Sequence, residues 1–560
     1  MSEHENGAEI GIRGGGLKEK PGRRTGQPLA TRQNRALATR QLVAIFGRFP
    51  LSKFGPAGTL WRIREDGRLR APQPHVCLKD MAGRSTRSGL DSIRSWLELA
   101  MSTATAARQT WPLVSGRCRM SEQNAGSAQG ASRRDFLKSS SVAAVGASVA
   151  SLVNLPGAYA GADDTIKVGL IGCGGRGSGA AVQALKTKGN VKLVAMGDAF
   201  EDRLNGSLGA IQKQLEGMPD RVAVDSDHKF VGFDAYQKVI NSGVDLVILA
   251  TPPGFRPIHF EAAVKAGKHV FMEKPVAVDA PGVRAVVAAA EEAKKKNLAV
   301  GVGLQRHHQF QYIETIKRLK DGAIGDIHTA RAYWNMGELW VKAREPGMTE
   351  MQYQMRNWYH FNWLCGDHIV EQHIHNLDVI NWVKDAYPVR AWGMGSQCVR
   401  KGPKFGEIFD NHSVEFEYAD GTRLFSQCRQ IPGCWNSVSE HVRGSQGEAD
   451  ISGSRINGKD GKWSYKGEKP DPYQQEHDDL FASIREGKPL NEGLFGAYST
   501  MTSILGRMAS YGGKEVSWDA ALASNLSLMP KDFDFKANPP VLPGADGVYP
   551  VAVPGVSTVL

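Results

Sequence analysis

A strand-like run that ends in a cluster of glycines constrains the fold of this sequence more than any other feature. The β-rich apolar run Ile166 to Ile171 is followed by Gly172, Gly174 and Gly177, and a small-residue stretch continues from Ser178. The first glycine permits a tight turn, the second lets a ligand approach the backbone, and the third lets a helix pack closely on the strand. The N-terminus of that helix directs N–H groups at a phosphate. The pattern therefore predicts a strand–turn–helix unit that binds a pyrophosphate.

The chain continues with further parts of a doubly wound domain. A second strand-like run, Val191 to Met196, leads to Asp198, whose carboxylate can accept hydrogen bonds from both hydroxyls of a ribose and therefore favours NAD. Arg203 leaves NADP open as an alternative. A further apolar run, Val244 to Ala250, ends in Thr251-Pro252, and ligands of such sheets lie across the carboxyl ends of the strands. We therefore predict an α/β Rossmann domain, with a doubly wound parallel sheet, over residues 163–305. Its predicted cofactor-binding residues are Gly172, Gly174, Arg176, Gly177, Asp198, Thr251 and Pro252.

Positive charge is concentrated in the first fifth of the chain. Residues 1–119 contain 21 Lys and Arg against 9 Asp and Glu, whereas the whole chain has a net charge of +11. The remainder is close to neutral, and nucleic-acid binding is not expected, because it requires basic residues clustered on the binding domain itself. The five cysteines after residue 120 are irregularly spaced without a CxxC pair, which argues against a disulfide framework or a zinc ribbon.

Residues 120–160 have the pattern of an export signal. Arg133 and Arg134 precede a weakly apolar stretch of about 15 residues, shorter than the roughly 20 that a membrane-spanning helix needs, and Ala158-Tyr159-Ala160 offers a cleavage site. The segment resembles a twin-arginine signal peptide. It implies the export machinery as a partner, no stable membrane insertion, and a periplasmic or secreted location. Because a signal acts at an N-terminus, we hypothesise that translation begins at Met120 and that residues 1–119 are a non-domain or mis-assigned extension.

Three motifs in order make the chain similar to the glucose–fructose oxidoreductase / inositol dehydrogenase / rhizopine catabolism (Gfo/Idh/MocA) family. They are the glycine-rich strand end with Asp198, the stretch from His259 to Glu273-Lys274-Pro275, and the segment Glu371 to Asp378, which resembles the family's Asp-x-x-x-His-x-x-Asp helix. The resemblance covers about residues 163–520. It implies a cofactor contact for Glu273, a carbohydrate substrate and a homo-oligomer. It also implies a substrate and oligomerisation domain over 306–520, of α+β class with an open, mostly antiparallel sheet, and leaves 521–560 as a C-terminal tail.

Three local patterns add detail to this second half. Ala419-Asp420-Gly421 lies between two β-rich runs and predicts a hairpin turn. Helical segments at about 473–485 and 498–511 are expected to pack back on the first domain. Gln305-Arg306-His307 follows the last strand of that domain and is expected to line the cleft.

The predicted catalytic residues are Lys274, His375 and Glu371. By resemblance, Lys274 hydrogen-bonds the reacting oxygen. An imidazole titrates near working pH, so His375 is the candidate proton acceptor. Glu371 precedes His375 by four residues, which on one helix places both on the same face and lets the carboxylate orient the ring. Each residue also has a structural interpretation: a surface lysine, a core histidine and a salt-bridge partner.

Two positions depart from the family's motif, since Glu371 replaces the aspartate and His373 replaces a small residue. A metal alternative follows from His368, Glu371 and His375, which share one face of the predicted helix. From His368 to His375 the helix spans about 10 Å, too far for one ion, so no metal site is predicted.

Together these features predict an exported oxidoreductase that transfers a hydride between NAD and a hydroxyl of a sugar, cyclitol or glycoside. Five aromatic residues ahead of the motif helix fit stacking on a sugar, although core packing explains them equally well: Trp334, Trp340, Trp358, Tyr359 and Trp363. Two alternatives stay open. An NAD-dependent glycosidase of the same fold oxidises its sugar transiently and leaves no net NADH. A sugar-binding relative without turnover is disfavoured by the presence of Lys274 and His375.

Overall fold

The fold is described from a computed structural model, in which residues 164–560 are described. The predicted extension over 1–119 and the predicted signal over 120–160 lie outside these residues. In the described part of the chain, no helix has both the length and the apolar character needed to cross a membrane. All five cysteines of this part carry free thiols.

Six parallel strands form the first sheet, in the order β3-β2-β1-β4-β5-β6. Their bounds are β1 Ile166–Ile171, β2 Val191–Asp198, β3 Lys229–Val231, β4 Leu246–Leu249, β5 His269–Met272 and β6 Val300–Val302. Strands β4, β5 and β6 are buried along their whole length, as expected for a parallel sheet covered on both faces. This order is that of the doubly wound Rossmann fold and confirms the predicted fold class.

Helices cover this sheet and connect its strands. They are α1 Gly175–Lys186, α2 Glu201–Gln214, α3 Ala235–Ile240, α4 Arg256–Lys265 and α5 Ala280–Lys295. Helix α5 shows how the sequence sets a boundary. The side chain of Asp279 caps its N-terminus by accepting a hydrogen bond from the N–H of Gly282 at 2.8 Å, and Pro281 lies in the first turn.

The second sheet has nine strands within the described residues, in the order β14-β13-β12-β11-β7-β10-β9-β8-β15. Their bounds are β7 Ile327–Met336, β8 Arg390–Ser396, β9 Asn411–Glu417, β10 Arg423–Gln430, β11 Ser437–Gly444, β12 Gly447–Asp450, β13 Arg455–Gly458, β14 Gly461–Ser464 and β15 Val516–Ser517. Only β7 and β10 pair in parallel among these strands, so the sheet is mostly antiparallel, as predicted. The predicted hairpin turn joins β9 to β10, and Gly421 adopts the positive φ of +83° that this turn requires.

Helices of the second half lie between the two sheets and against the first. They are α6 Phe310–Lys320, α7 Glu350–Arg356, α8 Asn362–Cys365, α9 His368–Glu371, α10 Ile374–Lys384, α11 Pro472–Arg485, α12 Gly493–Gly512 and α13 Trp518–Ala523. Helix α11 packs on α1, and α12 packs on α5 and β8. The two helices predicted to return to the first domain do so, which means that this domain and the larger sheet share one continuous core.

Residues after α13 also pack on the first domain instead of trailing from it. The rings of Phe533 and Phe535 contact Phe233, with centroid separations of 6.1 and 4.8 Å. The N–H of Leu528 donates to Asp279 at 2.8 Å. The segment interpreted from the sequence as a tail therefore completes the packing around the ends of α2, α3 and α5.

Candidate active site

The glycine-rich turn between β1 and α1 has the geometry that its spacing predicts. Gly172 adopts a φ of +96°, and a Cβ there would lie 2.4 Å from the backbone nitrogen of Thr251. A Cβ on Gly177 would lie 2.0 Å from the carbonyl oxygen of Gly172, so only glycine lets α1 approach β1 this closely. A Cβ on Gly174 would meet no protein atom within 4 Å. The second glycine therefore faces open space, which fits a pyrophosphate at the N-terminus of α1.

A cleft of about 480 Å³ opens at the carboxyl ends of β1, β2 and β4. Seven of the eight predicted cofactor-binding residues line it: Gly172, Gly174, Arg176, Gly177, Asp198, Thr251 and Pro252. Asp198 accepts hydrogen bonds from the N–H groups of Cys173 at 2.7 Å and Phe200 at 2.9 Å. Burial raises the pKa of the Asp198 carboxyl, and these two bonds oppose the rise. Asp198 is therefore fixed at the end of β2, where the ribose of a dinucleotide lies in this fold.

Glu273, the eighth predicted cofactor residue, is not part of the cleft wall. It is buried and accepts a short hydrogen bond from Nε of Arg176, whose Nη2 donates to Glu476 on α11 at 2.8 Å. Arg176 thus joins the glycine turn to the ends of β5 and α11. The contact of Glu273 with a cofactor stays a prediction, and no local sequence pattern pointed to Glu476.

A buried arginine that sequence reasoning missed holds the strand ends of the cleft together. Arg256 is 1% exposed, and its guanidinium donates to the carbonyl oxygens of Leu249 at 2.8 Å, Thr251 at 2.6 Å and Glu273 at 2.9 Å. Burial lowers the pKa of Arg256 to about 10, which still leaves it charged at neutral pH. The turns after β4 and β5 are fixed relative to each other by these bonds.

Lys274, one residue after Glu273, is paired with Glu371 at the end of α9. Its Nζ donates to Oε1 of Glu371 at 2.9 Å and to the main-chain carbonyl oxygen of the same residue at 2.6 Å. Both side chains are almost fully buried. Burial raises the pKa of Glu371, and Lys274 opposes the rise. Oε2 of Glu371 has no hydrogen-bond partner among residues 164–560, so one oxygen stays available for a ligand.

The expected pairing of Glu371 with His375 on one helix is not found. The N–H of His373 bonds to the carbonyl oxygen of His368 five residues back at 3.1 Å, which widens the turn and ends α9 before α10 begins. Because the helix is interrupted, the i to i+4 alignment is lost. Glu371 therefore contacts Lys274 and does not orient the imidazole.

His375 lies at the start of α10 with its ring stacked on Trp334, at a centroid separation of 5.8 Å. Its Nδ1 has no hydrogen-bond partner in the described part of the chain. Burial, Lys274 and Arg306 together hold the pKa of His375 well below its ordinary value. The imidazole is therefore neutral and can accept a proton or a hydrogen bond at neutral pH.

A buried ionic network supports α10 from the side of the larger sheet. Glu440 on β11 is fully buried and accepts hydrogen bonds from Arg306, from Asn376 at 2.5 Å and from Tyr312 at 3.1 Å. Burial raises the pKa of Glu440, and Arg306 opposes the rise. The sequence placed Gln305-Arg306-His307 beside the cleft, but Arg306 serves this network instead, because Glu440 reaches it from a strand that is distant in sequence.

Asp378 of the motif has a structural partner as well. Its Oδ2 lies 2.8 Å from Nε2 of His307, and its Oδ1 accepts from Ser499 at 2.7 Å. The ring of His307 stacks between Trp382 and Phe495, at 4.2 and 4.3 Å. Asp378 therefore ties α10 to α12 and to the end of the first domain.

Of the five aromatic residues singled out in the sequence, Trp334 stacks on His375, and the other four divide between the cleft and the core. Trp340 and Trp358 line the cleft, together with Arg356 and Lys342. Trp363 and Tyr359 are buried in hydrophobic clusters. Arg356 forms two hydrogen bonds with Asp202 on α2, at 2.8 and 2.9 Å, and its guanidinium lies over the ring of Phe200 at 4.2 Å. The segment around α7 thus covers the nucleotide cleft and is fastened to the first domain.

A Rossmann sheet of this order, a phosphate-binding glycine turn and an acidic residue at the end of the second strand are typical of nicotinamide-dependent oxidoreductases. The comparisons with known proteins agree with this class. Residues 166–303 match the Gfo/Idh/MocA model described as "Oxidoreductase family, NAD-binding Rossmann fold". They are therefore similar to the NAD-binding domain of that oxidoreductase family.

Relatives with assigned names match larger or smaller parts of the chain. The inositol 2-dehydrogenase of Rhizobium meliloti (strain 1021) is 24% identical over 294 residues, which are 52% of this chain and 77% of that protein. A glycosyl hydrolase family 109 protein of Solibacter usitatus (strain Ellin6076) is 32% identical over 151 residues, 26% of this chain and 33% of that protein. The structure of levoglucosan dehydrogenase in complex with NADH and levoglucosan superposes with a TM-score of 0.51 at 16% identity, over 63% of this chain and 99% of that one. This last likeness extends the shared fold to both sheets.

Proposed function

We propose that this protein catalyses NAD-dependent hydride transfer at a hydroxyl-bearing carbon of a sugar, cyclitol or glycoside. The observation that carries the proposal is the buried pair of Lys274 and Glu371, placed at the same sheet edge as the nucleotide cleft. Lys274 follows β5, the neighbour of β4, whose end lines the cleft. Ligands of doubly wound sheets bind along this edge. The relatives named inositol 2-dehydrogenase support a cyclitol or sugar as the substrate class.

The chain's own residues supply charge, orientation and a proton acceptor. When bound, NAD supplies the hydride acceptor. The ammonium of Lys274 stabilises negative charge that develops on the reacting oxygen, and Glu371 holds that ammonium in place through two hydrogen bonds. His375, neutral and without a partner for Nδ1 among the described residues, accepts the hydroxyl proton. Trp334 fixes the ring of His375 by stacking on it.

The proposal includes export with the cofactor already in place. The twin-arginine pattern at Arg133-Arg134 motivates it, because this route carries folded proteins. The cover of the cleft by Trp340, Arg356 and Trp358 supports a cofactor that is retained between turnovers. N-terminal peptide sequencing of the precursor and of the exported form tests this part. A precursor that starts at Met120 and a mature chain that starts near Gly161 are expected, and abundant peptides from residues 1–119 would contradict the start site.

A redox-neutral glycosidase is the second candidate. The match to a glycosyl hydrolase family 109 protein over 151 residues favours it, and those residues are a quarter of this chain. A retained cofactor suits this reaction because no net NADH is formed. The same pair of Lys274 and His375 would serve it, so the products distinguish the two candidates.

Self-association through the open face of the larger sheet is also proposed. Phe425 on β10 and Met394 on β8 are exposed on the same face of the sheet, and Trp435, which contacts Tyr333 of that face, is 62% exposed. Exposed apolar side chains grouped in this way are typical of protein interfaces. Light scattering on the purified chain tests the idea, and a monomer at micromolar concentration would contradict it.

The central experiment uses the full chain and its bound nucleotide. Mass spectrometry of nucleotide released on denaturation identifies the cofactor, and near-ultraviolet absorbance then follows reduced nicotinamide as sugars, cyclitols and glycosides are added. Reduction of bound NAD by one compound supports the dehydrogenase. Release of an aglycone without net absorbance change supports the glycosidase. No nucleotide, with none taken up, would overturn both.

A further inference from the structure

A buried group of two histidines and one cysteine lies beneath the larger sheet, next to α9. His412 on β9 and Cys428 on β10 are directly opposed partners of the antiparallel ladder, so their side chains emerge side by side on one face. His368 begins α9 and packs onto that face, with its ring 4.9 Å from the ring of His412. The three side chains are at most 3% exposed.

The spacing of these side chains suits a single ion. One ligand atom from each of His368, His412 and Cys428 lies within 4.8 Å of the other two. Tetrahedral zinc, with bonds of about 2.0–2.3 Å, places its ligand atoms about 3.3–3.6 Å apart. Side-chain rotations of about 1 Å would therefore bring the three atoms into the coordination shell.

Three ring nitrogens of this group lack hydrogen bonds although they are buried. Both ring nitrogens of His368 and Nε2 of His412 have no hydrogen-bond partner among residues 164–560. Buried polar atoms almost always have one, so unpartnered nitrogens that converge on one point need an explanation. His373, also buried in this region, differs because both of its ring nitrogens are bonded, to Asn376 and Ser426.

The contacts of His412 are compatible with a lone pair on Nε2. Nδ1 of His412 lies 2.9 Å from Oγ of Ser510, and that hydroxyl also lies 3.0 Å from the carbonyl oxygen of Gly506. With the hydroxyl donating to Gly506, Nδ1 carries the proton and Nε2 presents a lone pair. Nε2 lies 3.3 Å from Oδ2 of Asp367, so a cation at this point, a metal ion or a proton, satisfies both atoms.

The carboxylate of Asp367 lies beside the two histidines. It is fully buried, its Oδ1 lies 2.7 Å from Nδ1 of His368, and its Oδ2 accepts from Tyr511 at 2.5 Å and from the N–H of Phe409 at 2.9 Å. These bonds hold the carboxylate beside both imidazoles. Imidazole, thiolate and carboxylate are the ligands that zinc takes in proteins.

We propose that His368, His412 and Cys428 bind a structural zinc ion, with the buried carboxylate of Asp367 holding the two histidines in place. The ion would fix the first residue of α9 to β9 and β10. Glu371, which holds Lys274, lies three residues further along the same short helix. The zinc therefore acts as a positioning element for that helix and takes no part in chemistry. The proposal does not depend on the substrate or on the direction of the redox reaction.

No metal site was predicted from the sequence, because the ligands considered there were neighbours along the chain, on the motif helix or in CxxC pairs. The proposed ligands come instead from one helix and from two strands that lie 44 to 60 residues further along the chain. Cross-strand pairing of His412 with Cys428 is what brings them together.

The test measures metal bound to the full chain, with zinc or cobalt(II) added as the simple salt after treatment with a chelator. One equivalent of zinc per chain by mass spectrometry of the metal is expected. The cobalt form should show an intense near-ultraviolet band from sulfur-to-cobalt charge transfer. Cys428→Ser should abolish this band and weaken binding at least tenfold, since even the loss of an outer-shell partner costs about 10–100-fold.

Cys365→Ser is the matched control, because Cys365 is also a buried free thiol but bonds to Tyr359 and the N–H of Asp367. It should keep both the stoichiometry and the band. X-ray absorption on the zinc-loaded wild-type chain keeps the test valid if Cys428→Ser does not fold. One sulfur at about 2.3 Å with nitrogen or oxygen at about 2.0–2.1 Å supports the site. Substoichiometric metal, a shell without sulfur, or a Cys428→Ser variant that binds like the wild type would overturn it.

Discussion

Nζ of Lys274 lies 2.9 Å from the carboxylate oxygen Oε1 of Glu371 and 2.6 Å from the main-chain carbonyl oxygen of the same residue. Two acceptors from one residue therefore hold the ammonium that the first domain presents. Since Glu371 belongs to α9 of the second half of the chain, the pair also links the nucleotide-binding domain to the larger sheet. In the proposed mechanism, the charge at the reacting oxygen therefore depends on the position of a residue 97 positions away.

Replacing Glu371 tests this dependence. Glu371→Gln keeps a side-chain acceptor but removes the charge that fixes Lys274, and we expect kcat to fall by about 10–100-fold with a smaller change in KM. Glu371→Asp should recover part of the loss, because the charge is restored on a shorter side chain. The measurement is the rate at which bound NAD is reduced by the compound identified among the sugars, cyclitols and glycosides of the central experiment. A Glu371→Gln variant within twofold of the wild type would show that the pair is structural only.

His375 is tested by substitution and by pH. His375→Gln should lower kcat by about 10²–10⁴, the usual contribution of a general base. Burial, Lys274 and Arg306 hold the pKa of His375 well below 6.5, so its neutral, proton-accepting form persists below that pH. The wild-type kcat/KM should therefore show no fall centred near pH 6.5. His441→Gln, on the larger sheet beside Ser439, is the control and should leave the rate unchanged. The assigned protonation state would be contradicted if the wild-type kcat/KM halved near pH 6.5 and the kcat/KM of His375→Gln did not depend on pH.

Asp198 should determine the choice of dinucleotide. Asp198→Asn keeps the shape of the side chain but weakens acceptance from the ribose hydroxyls, and we expect NAD affinity to fall by about tenfold, equivalent to about 1.4 kcal/mol. The affinity for NADP should rise relative to the affinity for NAD, because Arg203 lines the same cleft. Calorimetric titration of nucleotide-free protein measures both affinities. Asp220→Asn, an exposed position of the same domain, should change neither. An unchanged NAD affinity in Asp198→Asn would rule out the ribose contact.

The ion pair between Arg356 and Asp202 should slow the release of the cofactor. Two hydrogen bonds and the ring of Phe200 hold Arg356 over the cleft. Partly exposed contacts of this kind are worth about 1 kcal/mol, so Arg356→Ala should raise the dissociation rate by about fivefold. Stopped-flow exchange of bound NADH against excess NAD gives the rate. Lys317→Gln removes an exposed ion pair on α6 and is the control. Equal rates in both variants would mean that this segment does not retain the cofactor.

His308 should make stability depend on pH in the alkaline range. Burial lowers the pKa of His308, but hydrogen bonds and charge from Asp479 and Glu492 outweigh this effect and raise it to about 10. The pKa of His308 is therefore higher in the folded chain than its unfolded value of 6.5. Protonated His308 makes its full contribution to the free energy of unfolding below pH 6.5, and this contribution is lost as the pH rises through about 10. His308→Gln should therefore lower the free energy of unfolding by about 3 kcal/mol at pH 6, and the difference from the wild type should shrink toward pH 10. Urea unfolding at several pH values measures it. His328→Gln, an exposed histidine, should show no such trend; a pH-independent difference for His308→Gln would refute the assignment.

The nucleotide-binding half was predictable because its signals are local. A strand, three glycines and an acidic strand end lie within about 30 residues of each other, and each has a steric or hydrogen-bonding reason. The order of the first sheet follows from the right-handed crossovers of such units. The predicted hairpin at Gly421 was equally local.

The second half was predicted only in outline because its contacts are distant in sequence. Glu440 reaches Arg306 across 134 residues, and Glu476 reaches Arg176 across 300. The pairing of Glu371 with His375 was wrong because one wide turn at His373 shifts the helical phase, and no residue pattern marks that turn. Buried charges find partners through the tertiary fold, which a one-dimensional pattern does not contain.

The packing of Phe533 and Phe535 on the first domain has a consequence for the order of events during synthesis. These rings follow Phe233 by about 300 residues, and Phe535 also contacts Phe200, which belongs to the cleft wall. While the ribosome is still making the larger sheet, that side of the nascent nucleotide domain has no cover. A dinucleotide that binds during synthesis would therefore meet an incomplete hydrophobic cluster, which closes only after Phe535 and Tyr549 have left the exit tunnel.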